Sequence, residues 1–204
     1  MDLSPYALLS ALNRARAPIL WIGSTYFLCV LVGAGMVHSH NGFALRYRDN
    51  LVGDAQQSAV GDAMKHGMPL RAAIGDFGGN LLLGAVPSTI MGLLVIMPFP
   101  WVAFRGWVGG IVSVDGQHVS RLRDGNERVY FLGVLLLQLI PYTLAGGAGV
   151  RLGLAFLFPK GRWGYPSPER WTGLPADGVR DVARIYLLVV PMFLVASLLE
   201  FLTR

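Results

Sequence analysis

Apolar and polar residues are sorted along this chain into long blocks. Pro18–Val37, Phe77–Phe104, Val129–Val150 and Ile185–Leu199 contain no charged side chain. A helix needs about 20 apolar residues to cross about 30 Å of hydrocarbon, and the first three blocks reach that length. Only helices or a closed barrel can hide the polar backbone in lipid. The blocks are continuous and leucine-rich, without the two-residue alternation of barrel strands. The pattern predicts an all-α integral membrane protein, one transmembrane domain over 1–204. About five transmembrane helices are expected, some kinked or broken.

The block edges give approximate spans. Residues 1–17 predict a short amphipathic lead-in on the membrane surface, with Ser4-Pro5 as a helix start and Leu8, Leu9 and Leu12 as its apolar face. The first span covers about 18–37 and ends at the polar turn His38-Ser39-His40-Asn41-Gly42. Residues 43–76 carry four basic and four acidic side chains. They predict a surface helix or two, a short interfacial helical region between the first and second spans. Within them Val52-Gly53-Asp54-Ala55 recurs as Val60-Gly61-Asp62-Ala63, too short to signal a repeat architecture. The second span covers about 79–100, with Pro98 and Pro100 breaking or kinking its end. Residues 101–114 are either a short span or a re-entrant turn. After a charged loop at 115–128, residues 129–158 form a span too long to stand upright, with Pro141 and a glycine cluster predicting a kink or tilt. A Pro-, Gly- and Arg-rich loop, 159–182, leads to a last span over 183–202. Five spans with a cytoplasmic N-terminus put about nine Lys/Arg inside and about eight outside, closer to the positive-inside rule than four spans do.

Composition narrows the classes. The 204 residues have a mean hydropathy of +0.51 and only 14% charged side chains, which leaves no segment for a separate soluble enzyme domain. The net charge is +5, and 15 of the 17 basic residues are arginine. With loops this short, those arginines are expected to meet anionic lipid head groups. No aromatic-rich basic patch points to nucleic acid. Cys29 is the only cysteine, so an intramolecular disulfide is excluded. Arg14 and Arg16 precede an apolar run longer than a signal-peptide core, which predicts a retained span.

Candidate chemistry is sparse. There is no Ser/His/Asp set, no His-Glu-x-x-His, no Walker loop and no pair of carboxylates on one face. The expectation is a non-enzymatic protein without a cofactor. His38-x-His40 is the one histidine pair, and a zinc site would need further ligands, from His66 or His118, which requires the loops to converge. Solvated interfacial histidines are the expected outcome. Asp76 and Glu200 lie at span edges and are expected to pair with Arg71 and Arg204 at the water interface. Gln138 is the one amide in mid-span and the first candidate for a buried polar contact.

The sharpest motif is Ala145-Gly146-Gly147-Ala148-Gly149-Val150-Arg151-Leu152-Gly153. Five small residues in a row flatten a helix surface, and Gly149 and Gly153 form a Gly-x-x-x-Gly pair that lets two backbones touch. Arg151, costly near a span, must snorkel, pair or face a cavity. Neither a strand nor a following Lys-Ser/Thr is present for phosphate binding.

This run resembles the closing signature of the stage II sporulation protein M family, and the resemblance extends over roughly 77–158. The family pattern also has an Asn before the second span, matched by Asn80. An Asn-Gly-x-x-x-Gly element follows it, matched at Gly106 and Gly110 with Arg105 in place of the Asn. A family His-Gly pair and a Glu fall on Val134, Leu135 and Gln138, so the His and the acid are missing. The resemblance implies about five spans and, for the sporulation member, a membrane scaffold for cell-wall-degrading partners. The expected function is therefore a membrane subunit or scaffold in the bacterial inner membrane, docking other membrane proteins in a hetero-complex or homo-oligomer and bathed in lipid. The alternatives are a small transporter, or an accessory subunit of a respiratory or photosynthetic complex. Asn80, Gly106, Gly110, Gln138, Gly146, Gly147, Gly149, Arg151 and Gly153 are the residues expected to serve helix packing or a polar interior.

Overall fold

The computed structural model describes residues 2–202. Helix α1, Pro5–His38, starts where Ser4 caps it: the Ser4 hydroxyl accepts from the Ala7 N–H, and Pro5 occupies the first turn. Pro18 does not interrupt it. From Pro5 onward the expected surface lead-in is thus the first turns of one continuous 34-residue helix. Ala11, Ala15 and Pro18 are buried, as are Ile22, Tyr26 and Val30, so one apolar stripe runs through both parts.

The connection to the next apolar block holds helices α2, Gly42–Gln57, and α3, Ala59–Lys65, capped by Asn41 and Ser58. Helix α4, Pro69–Asn80, passes through a wide π-type turn, Leu81–Ala85, into α5, Val86–Gly92. The π-type turn ends two residues before Pro87. A proline lacks the N–H that would continue the regular ladder, and a wider turn accommodates the gap. Asn80, expected ahead of the second span, therefore lies inside this helical run. A tight turn with Val95 at φ 59° leads to α6, Pro98–Ile111. Pro98 and Pro100 open α6 rather than kinking the preceding helix. A loop with one bridge between Val114 and Ser120 precedes α7, Gly125–Leu157. Pro141 lies inside that helix without ending it. The loop after α7 contains a two-stranded ribbon, β1 Arg170–Trp171 and β2 Leu174–Pro175. Helix α8, Ala176–Leu202, follows and starts several residues earlier than the charge pattern alone suggests.

The contacts fix the helix directions. Arg14 meets Asp181 at one end of the bundle, while His38 meets Ser120 and Tyr130 meets Glu200 at the other. Helices α1 and α8 therefore run parallel, with α7 antiparallel to both. Asp76 touches Ser197, and Thr89 touches Ala145 and Tyr186, so α4–α5 runs with α7. Helix α6 runs with α1 and does not turn back on itself: Gly106 packs on Tyr26 and Gly110 on Val30. The segments α1, α4–α5, α6, α7 and α8 thus alternate in direction. Among the described residues three helices, α1, α7 and α8, are individually long and apolar enough to cross a membrane.

Candidate functional site

Helix α7 is the axis of the bundle. Every residue from Pro141 to Ala155 is buried, a pattern possible only where neighbours approach on all sides. Glycine makes the approach possible. A Cβ at Gly147 would overlap the Ile19 backbone of α1, one at Gly149 the Thr89 backbone, and one at Gly153 the carbonyls of Gly92 and Leu93. Gly146 lies against Ser88 and Ile22. A second seam joins α6 to α1, where Gly106 and Gly110 rest on the carbonyls of Tyr26 and Val30, and Gly33 on that of Trp107. The structure thus brings Gly147, Gly149 and Gly153, and Gly106 and Gly110, into two backbone-to-backbone seams, while Gly146 faces side chains.

Against these apolar seams runs a chain of polar side chains. Asp76 and Asn80 sit one turn apart, so they share a face of α4. Asn80 Nδ2 donates to Asp76 Oδ2 at 2.9 Å, and Ser197 Oγ donates to the same oxygen at 2.7 Å. The Tyr142 hydroxyl donates to Asn80 Oδ1 at 2.6 Å and accepts from Arg105 Nη1. The Arg105 guanidinium also lies over the Tyr142 ring, 4.5 Å from its centroid, and over Trp101 at 5.3 Å. A cation is thus linked to a carboxylate through one phenol and one amide, each bond pointing the same way. Asp76 finds Ser197 and Asn80, not the expected Arg71, because its helix turns it toward α8 while Arg71 is exposed.

Gln138 is half-buried, and its Nε2 donates to Glu200 Oε2 at 3.1 Å. A cavity of about 210 Å³ opens beside the pair and reaches Arg121 and Tyr130. Arg204, the partner expected for Glu200, lies outside the described residues.

Arg151 does not snorkel. It is 4% exposed and donates to the Trp163 carbonyl at 2.7 Å, with its guanidinium 4.5 Å from the Tyr165 ring centroid. Tyr165 in turn donates to Asp181 Oδ2 at 3.0 Å. Burial and the Asp181 charge push the phenol's pKa well above its ordinary value, so it remains a donor O–H. Asp181 also accepts two 2.7 Å bonds from Arg14 and one from Arg184. This clasp ties the loop between α7 and α8 to three helices. Asp181→Ala should raise trypsin cleavage after Arg162 or Arg170 by about tenfold or more, the scale of a lost charge-assisted hydrogen bond when cleavage follows the open population. An unchanged rate would mean the loop is held by other contacts.

The histidines stay apart. His38 bonds Ser120 Oγ at 2.8 Å, His66 lies by Asp62, and His118 lies by Asp49, whose carboxyl Arg48 and His118 hold below its usual range. His40 is exposed with φ 56°. Among the described residues no three His, Cys, Asp or Glu side chains gather as a metal site.

Asn80, Gln138 and Arg151 stand out in the sequence, as do Asp76 and Glu200, which bond the first two; the pairings themselves, and the Ser197, Tyr165 and Asp181 that complete these clusters, do not. Ser197, Tyr165 and Asp181 lie far away in sequence or in a loop, and no periodicity links them. The i, i+4 spacing of Asp76 and Asn80, and of Gln138 and Tyr142, was the available signal for one polar face on each helix.

A helical bundle with apolar outer faces and an axis of glycine-mediated contacts defines a membrane protein. The chain matches the stage II sporulation protein M family over residues 22–204 and belongs to it. The match reaches well beyond the 77–158 stretch that carries the signature. No curated protein and no solved structure matches the chain.

Proposed function

We propose that this chain is a non-enzymatic, multi-pass scaffold of the bacterial cytoplasmic membrane that holds other membrane proteins in an assembly, with its N-terminus in the cytoplasm. The observation that carries this reading is the all-round burial of Pro141–Ala155. An axis packed backbone to backbone makes a stiff body and fills the bundle centre with helix, which suits a scaffold better than a carrier that must open. Five spans accord with the five alternating segments and with the exposed Leu82, Leu83, Ile90 and Phe104 on α4–α6. Large outward apolar side chains of this kind call for a lipid or protein cover. Helix α6, with 14 residues, rises about 21 Å, so it would cross only with help from its flanking turns.

Purification from the native membrane in mild detergent, with mass spectrometry of the co-migrating proteins, tests the reading. The expected result is a stoichiometric set of other membrane proteins. A lone chain or simple homo-oligomer would overturn it in favour of transport, for which the cavity beside Gln138 and Glu200 would be the entrance. Co-purifying haem, pigment or quinone would instead indicate an accessory subunit of an energy-transducing complex.

A further inference from the structure

The turn between α5 and α6 has no polar side chain. From Ile90 to Phe104 the indole N–H of Trp101 is the one polar side-chain group in the sequence. Turns that face water draw on Gly, Asn, Asp and Ser, and the other left-handed positions of this chain are of that kind. Among the described residues they hold His40, His118, Thr172 and the glycines 67, 161 and 173. Here the left-handed position belongs to Val95, at φ 59°, a conformation that a β-branched residue seldom adopts. Val95 packs against the core, while Leu94, Ile96 and Met97 are 63%, 74% and 55% exposed. The backbone of the turn is closed on itself. The N–H groups of Leu93, Leu94, Val95, Ile96 and Phe99 donate to carbonyls within it. Pro98 and Pro100 have no N–H to leave bare at the start of α6, where a helix ordinarily leaves four.

We propose that this tip is embedded in the upper acyl region of the leaflet at its end of the bundle, so that the hairpin of α4–α5 and α6 returns to its own side without emerging. Its level follows from the seam with α7. Gly92 lies against Gly149, and the Leu93 carbonyl against Gly153, four residues before α7 ends at Leu157. Phe156 and Leu157, three and four residues beyond Gly153, share its side of the helix and are exposed. The tip thus continues the apolar end of a helix long and apolar enough to cross a membrane. Lipid is the occupant for two reasons. An N–H left unsatisfied in hydrocarbon is costly, and the turn closes its own N–H groups where a turn in water could leave them to solvent. Exposed Arg16, Lys160 and Arg162 lie at the same end, and basic side chains beside an apolar surface match anionic headgroups above acyl chains. The proposal deepens the multi-pass reading, on which it rests, by joining the second and third spans inside the membrane.

Nitroxide labels on single cysteines measure the depth. The full-length protein, with Cys29→Ser as background, is reconstituted in vesicles of phosphatidylethanolamine and phosphatidylglycerol. Ile96→Cys reports the tip, Leu28→Cys the outer face of α1 near mid-span, and Pro168→Cys the loop between α7 and α8. All three side chains are exposed, so the labels leave the core packing alone. Relaxation by a water-soluble nickel chelate should be lost at positions 96 and 28 and strong at 168, with oxygen giving the reverse order. Strong nickel relaxation at 96 with none at 28 would overturn the embedded tip and leave the multi-pass reading standing. Strong nickel relaxation at 28 as well would overturn both. A photoreactive group at position 96 in native membranes should capture lipid. Capture of a protein segment, from a partner or a second copy of this chain, would overturn the proposal in favour of a docking surface.

Discussion

Gly149→Leu should prevent assembly of the folded bundle, while Gly133→Leu on the same helix should leave it intact. At Gly149 even a methyl group would collide with the Thr89 backbone, which cannot rotate away as a side chain can. Thr89 is also fixed by its hydroxyl, which lies 3.0 Å from the Ala145 carbonyl and 2.7 Å from the Tyr186 hydroxyl. Helices α5, α7 and α8 would have to part together. Overpacking a tight core ordinarily costs about 1–3 kcal/mol; a leucine driven against backbone belongs at or above the top of that range. At Gly133 nothing lies within 4 Å of an added Cβ, so the second substitution controls for the loss of glycine itself and for added hydrophobicity. Folded yield and melting temperature in detergent read both variants. Equal melting temperatures for Gly149→Leu and the unaltered protein would mean that the seam does not hold the bundle.

The glycine positions could be recognised in the sequence because close helix packing in lipid leaves a local mark, small residues at helical spacing. The same holds for the apolar blocks, whose length alone predicts spanning helices. What could not be read were the pairings. Arg151 is conspicuous in the sequence, but its ligands, the Trp163 carbonyl and the Tyr165 ring, come from a loop whose path no periodicity encodes. The lead-in over 1–17 was misplaced because Arg14 and Arg16 interrupt the hydropathy, although Arg14 is neutralised by Asp181 on a distant helix. Asp76 was expected at the water interface for a similar reason. Sequence shows an acid near a block edge, while its partners Ser197 and Asn80 become visible only once α8 lies against α4.

The polar chain from Arg105 to Asp76 predicts energetic coupling between two residues that do not touch. Asp76→Leu removes the acceptor of Asn80 and Ser197 and leaves Arg105 without its nearest linked carboxylate. Both residues are half-buried, and removing one charged member of such a hydrogen-bonded network costs about 1–3 kcal/mol. Arg105→Leu leaves the opposite charge behind and should cost a comparable amount. The double Leu variant removes both charges, so its cost should fall short of the sum by about 1–3 kcal/mol, the range of coupling within one network. Tyr142→Phe separates the routes by which that coupling could travel. It keeps the ring that Arg105 overlies, 4.5 Å away, but removes the hydroxyl that links Arg105 to Asn80. In that background the coupling should fall to a small fraction, as the through-space term between groups on separate helices is all that remains. Unfolding in detergent with denaturant measures all the variants. Additive costs for Asp76→Leu and Arg105→Leu would break the network reading outright. Coupling that persists undiminished without the Tyr142 hydroxyl would show that the charges interact directly through the low-dielectric interior, with the phenol and the amide merely packed between them.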